Sequence, residues 1–69
     1  MGLNAFLDEM ARLFARFGFT HTPLTAAQLV QCYFAGLGTH ETYGIGCDVA
    51  AGYPFATSFV HYNQPTSTS

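Results

Sequence analysis

Sixty-nine residues allow one domain, and only 9% of them are charged, against about 25% in ordinary globular domains. Arg12 and Arg16 are the only cations, too few to neutralise a nucleic-acid backbone, and four acidic side chains are too few to imitate one. Two cysteines do not make a secreted disulfide scaffold, Met1-Gly2-Leu3-Asn4 lacks a basic leader, Phe6 stands where a myristoylation signal needs Ser or Thr, and no apolar run reaches a membrane span. A cytoplasmic protein with reduced thiols, binding neither nucleic acid nor membrane, is therefore expected.

The first element is a helix over about residues 5–17. Leu3, Phe6, Leu7, Met10, Leu13, Phe14 and Phe17 recur at i, i+3, i+4, i+7, within an arc of about 120°, and Asp8, Glu9, Arg12 and Arg16 fall opposite. Asn4 is the expected N-cap, and Gly18 supplies the left-handed stop. The apolar stripe reads as a seam facing the core.

The segment Leu24-Thr25-Ala26-Ala27-Gln28-Leu29 announces a second helix over about 26–37. Thr25 and Gln28 form a capping box, and Leu24 with Leu29 forms a hydrophobic staple. Ala26, Ala27, Leu29, Val30, Tyr33, Phe34 and Leu37 span a wider arc of about 160°. Because no charge lies on this helix, Gln31, Cys32 and Ala35 form either a strip that can lie against another backbone or a plain polar solvent face.

After Gly38-Thr39-His40-Glu41 the period changes from 3.6 to 2. Tyr43, Ile45, Cys47 and Val49 alternate with Thr42, Gly44, Gly46 and Asp48, which predicts a half-buried strand over about 42–49. Ala50 to Pro54 reads as a loop. A second strand over about 55–62 carries Phe55, Thr57, Phe59 and His61 on one face and Ala56, Ser58, Val60 and Tyr62 on the other. The expected fold class is thus α+β: two N-terminal amphipathic helices packed on a C-terminal antiparallel β-hairpin, forming a single domain over 1–62 with a disordered tail over 63–69. Since a lone hairpin is marginal, either the helices cover it or its edge pairs with another chain.

His21, His40, His61, Cys32 and Cys47 have the chemistry of zinc ligands but not the spacing, for structural sites present close pairs such as C-x₂₋₄-C. A nucleophilic site would join Cys47 or Cys32 to His40 or His61, with Asp48 or Glu41 orienting the base. Neither cysteine has a cation nearby in sequence to lower its pKa, and so small a domain is poorly suited to forming a substrate cleft. Gly44-x-Gly46 is not a dinucleotide fingerprint, because Val49 occupies the third glycine position. No enzyme activity, catalytic residue, metal or cofactor is expected.

By elimination, the sequence points to a non-enzymatic protein-binding module working through its uncharged half. From Phe17 onward its only charged side chains are Glu41 and Asp48. The candidate contact residues are Gln31, Cys32 and Ala35 together with the aromatics Tyr43, Tyr53, Phe55, Phe59 and Tyr62, since large aromatics supply most interface energy. Small proteins with no site of their own often act as inhibitors or adaptors of the kind phages and mobile elements encode. The partner would be another protein or a second copy. The alternative is a structural protein that forms a homodimer or larger homo-oligomer through the strand edge or the second helix, and a metal-stapled module comes third.

Overall fold

The computed structural model describes residues 1–63, which form four α-helices: α1 (Leu3–Arg16), α2 (Ala26–Phe34), α3 (Thr39–Ala50) and α4 (Phe55–Asn63). No strand occurs among the described residues, so the expected α+β fold with a C-terminal hairpin is corrected to an all-α one. Of the tail expected over 63–69, Asn63 closes α4 and the remainder lies outside the described residues.

The first two helices form where the 3.6-residue period marks them. Phe6, Met10 and Phe14 of α1 are buried at successive i+4 positions. The helix starts before Asn4, with Gly2 as its N-cap, and it ends at Arg16, so Phe17 becomes the C-cap. Ahead of α2 the capping box closes as the sequence indicates: the Gln28 amide donates to Thr25 Oγ1 at 3.1 Å, and the Thr25 amide donates to Gln28 Oε1 at 3.0 Å.

Both expected strands are helices, and the reason lies in two hydroxyl residues. The stripe that α3 turns inward is Thr42, Ile45, Gly46 and Val49, at i, i+3, i+4 and i+7. In α4 it is Phe55, Ser58 and Phe59, at i, i+3 and i+4, with Ser58 buried, and Tyr62 at i+7 is exposed but lays its hydroxyl against Gly44. A count of apolar residues alone misses Thr42, Gly46 and Ser58, and what is left happens to alternate. Both hydroxyls are satisfied: Thr42 Oγ1 donates to the Gly38 carbonyl at 2.8 Å, and Ser58 Oγ donates to Asp48 Oδ2 at 2.6 Å. The α3 start is reinforced by the Glu41 carboxylate, which accepts from the Gly38 amide at 3.0 Å.

The turn between α3 and α4 is a helix-ending motif. Tyr53 N–H donates to the Asp48 carbonyl and Gly52 N–H to the Val49 carbonyl, each at 3.0 Å, with Gly52 at φ 105°. This is the paired bond pattern of a Schellman motif, and the same pair follows α1 at Gly18-Phe19 and α2 at Gly36-Leu37. Pro54 then precedes α4, where a fixed φ and a missing N–H suit a helix start, and its carbonyl accepts from Ser58 N–H at 3.3 Å.

The buried apolar core is Phe6, Met10 and Phe14 from α1, Leu24 from the connection, Leu29 and Cys32 from α2, and Ile45 from α3. α1 packs on α2 and α3, and α4 packs chiefly on α3. Nothing apolar from α4 is fully buried; its Phe55 and Phe59 stack on each other, with centroids 5.4 Å apart, at the edge of the core. The body measures 36 × 28 × 18 Å. No described helix is long and apolar enough to cross a membrane.

Candidate functional site

Two features stand out on the surface, and both are formed by residues from Phe17 onward, where the chain has no lysine or arginine. The first is a set of large apolar side chains left in solvent. Phe34 is 73% exposed, Tyr53 63%, Phe17 57% and Val60 57%. On α2 the exposed positions Ala27, Gln31 and Phe34 form a stripe at i, i+4, i+7 that carries no charge. On α4 the outward residues are Ala56, Thr57, Val60 and His61.

The sequence-derived contact residues divide between surface and interior. Gln31 is exposed, but Cys32 is completely buried and Ala35 is the half-buried C-cap of α2, so the outer strip of that helix runs through Ala27, Gln31 and Phe34 instead. Burial pushes the Cys32 thiol pKa up, and the neighbouring Thr42 side chain partly offsets the rise. Tyr43 is half-buried between Phe14 and Phe17, at centroid distances of 5.3 and 5.2 Å. A hydrogen bond with the Cys47 side chain, then burial, raises the Tyr43 phenol pKa. Phe55 and Phe59 face the core, whereas Tyr53 stands free and Tyr62 is partly exposed, its hydroxyl lying against Gly44. The apolar arc of α2 is too broad to distinguish its two edges, so its periodicity places Phe34 inward, and Phe17 counts as inward only in a helix running one residue beyond Arg16, whereas both side chains are exposed.

The second feature is an open cleft of about 380 Å³ between the end of α3 and α4, lined by Asp48, Tyr53, Thr57, Ser58 and His61. It depends on the motif after Gly52, which brings Tyr53 beside the last turn of α3, and on α4, where Thr57, Ser58 and His61 fall on neighbouring positions of the helix. The buried Ser58 hydroxyl pins one oxygen of the Asp48 carboxylate at 2.6 Å. Serine, aspartate and histidine here do not form a relay of the hydrolytic kind. The Ser58 hydroxyl donates its hydrogen bond to the carboxylate, and among the described residues no hydrogen bond joins His61 to either. Nor do three His, Cys, Asp or Glu side chains gather anywhere among the described residues into a set that could hold a metal ion. Sequence reasoning missed this cleft because Asp48 and Ser58 were assigned to separate strands.

A further open cleft, of about 440 Å³, lies between the start of the chain and the α2–α3 connection, lined in part by Tyr33, Leu37 and Thr39, with no charged side chain in its wall. Its position is held by Tyr33, whose hydroxyl donates to the Met1 carbonyl at 2.7 Å. No protein-family model, curated protein or solved structure matches the chain.

Proposed function

We propose that this chain is a small protein-binding module, an inhibitor or adaptor that occupies a partner's surface with the neutral outer faces of α2 and α4. The observation that carries this reading is Phe34, 73% exposed on a helix with no charged residue, in a molecule whose cations are confined to α1. An aromatic ring held in water on a neutral helix face is a solubility liability unless a partner covers it. Covering Phe34, Tyr53 and Val60, already part-buried, is worth about 3–6 kcal/mol in all. That is comparable to the low end of the cost of association, about 4–15 kcal/mol, so the aromatic surface needs further contacts to hold a partner.

Site-specific photocrosslinking in the source cells tests the reading. A photoreactive phenylalanine analogue at Phe34 or Val60 is expected to give one discrete adduct with a different protein, and the same analogue at Ala11, on the charged side of α1, none. An adduct of twice the chain's own mass would replace this reading with self-association. Absence of any adduct at both positions would remove protein binding through these faces.

A further inference from the structure

The cleft between α3 and α4 contains a carboxylate with no cation of its own. Asp48 is half-buried, and the one ion pair among the described residues is Arg12 with Glu9, at 3.9 Å on α1. From Phe17 onward the sequence has no lysine or arginine, so no cation of this segment is there to neutralise Asp48. The carboxylate is also oriented. The buried Ser58 hydroxyl holds Oδ2 and leaves Oδ1 without a side-chain donor. Asp48 lies in the last turn of α3, where the helix dipole already places negative potential, so the position is unfavourable for an anion and favourable for a bound cation.

The walls narrow the kind of cation. The exposed side chains of Tyr53, His61 and Thr57 line the same cleft. A cleft lined by one carboxylate and two aromatic side chains suits a planar, weakly hydrated guanidinium, which can stack and hydrogen-bond at once, better than a strongly hydrated ammonium. A volume of about 380 Å³ lies at the small end of ligand sites and is ample for a guanidinium with its aliphatic stem.

We propose that this cleft is a socket for an arginine side chain of the partner protein, the polar anchor that the neutral aromatic surface lacks. The inference rests on the protein-binding reading above for the source of the arginine, and on the cleft alone for its chemistry.

Amide NMR shifts tested against a blocked arginine (acetyl-arginine methylamide), with blocked citrulline as its neutral isostere, decide it. Arginine is expected to cause saturable shifts confined to Asp48, Tyr53, Thr57, Ser58 and His61, and citrulline none. Asp48→Asn keeps an acceptor for Ser58, so the fold is retained, and it should weaken arginine binding by about tenfold or more, as loss of a charge-assisted bond does. Tyr53→Ala, at an exposed ring with no fold to support, should weaken it by a smaller factor. Equal shifts with citrulline, unchanged affinity in Asp48→Asn, or shifts that do not saturate would overturn the proposal. Since the probe is a free amino acid derivative, the result is separable from the crosslinks. Adducts at Phe34 without arginine binding would remove the socket and keep the partner, whereas arginine binding without adducts would overturn a protein as the source of the arginine.

Discussion

Two glycines in α3 lie two residues apart and meet different neighbours. A Cβ at Gly46 would collide with the ring of Phe14, which is buried and has nowhere to move, and would crowd Pro23. A Cβ at Gly44 would meet the hydroxyl end of Tyr62, a partly exposed side chain free to swing outward. Gly46→Ala is therefore expected to destabilise by about 1–3 kcal/mol through overpacking. Gly44→Ala should be neutral or stabilising by up to about 1 kcal/mol, because alanine is the better helix former. Urea denaturation midpoints for the two variants check this, and equal losses would contradict the packing described. At the same scale, Cys32 and Tyr43 predict how stability depends on pH. Both are held neutral in the folded state, Cys32 by burial, partly offset by the Thr42 side chain, and Tyr43 by the neighbouring Cys47 side chain and burial, with pKa values above the ordinary 9.0 and 10.0. A raised folded pKa means that the unfolded chain loses its proton first, so this contribution is complete below about pH 9 and is lost as pH rises through and beyond that value. The urea midpoint should fall from about pH 9 upward, and Cys32→Ala, though less stable throughout, should show a shallower fall at the start of that range.

At the scale of elements, the helices were recognisable in proportion to how apolar their inward stripes are. α1 offers Phe6, Met10 and Phe14 to the core and is legible from spacing alone. α3 and α4 offer Thr42, Gly46 and Ser58 in places where a periodicity count expects leucine or valine, and their remaining residues imitate the alternation of a strand. Their ends carried a clearer signal. Ala51-Gly52-Tyr53-Pro54 closes one helix and opens another, and the apolar residue after the glycine matches Phe19 and Leu37 at the two earlier helix ends. Gly52 adopts φ 105°, a left-handed conformation that costs other residues about 1–2 kcal/mol. Gly52→Ala should accordingly lower the melting temperature by about 4–16 °C in a domain of this size, read from far-ultraviolet circular dichroism. No change would mean that the α3–α4 joint is not held as described.

For the whole molecule, charge and apolar exposure are segregated. The two arginines lie on α1 with Asp8 and Glu9, while the outer faces of α2 and α4 are neutral and carry Phe34 and Val60. These two side chains contribute little to the fold because most of their surface is in water. Phe34→Ser and Val60→Ser should each change unfolding free energy by no more than about 0.5 kcal/mol, as substitutions at exposed positions do. With the photoreactive analogue placed at Gln31, the same substitutions should reduce the adduct formed with a partner. A large loss of stability in either variant would mean that these side chains serve the fold, and the protein-binding proposal would lose its main support.

Much of this was legible without a fold: the two N-terminal helices, the capping box at Thr25, the glycine stop at Gly18 and the scarcity of charge after Phe17 all depend on local spacing and composition. The identity of α3 and α4 turns on two hydroxyls in the interior: Thr42 is satisfied locally by the Gly38 carbonyl, whereas Ser58 becomes acceptable only once Asp48 of the neighbouring helix accepts its hydrogen, which tertiary structure decides. The exposed stripe on α2 was decided in the same way. A helix without charge has no strongly polar face to reveal which side is out, and the burial of Leu29 and Cys32 in the core left Phe34 toward solvent. The Asp48 cleft exists only because residues ten apart in sequence meet across the α3–α4 joint, a contact that depends on the path of the chain and leaves no periodic trace.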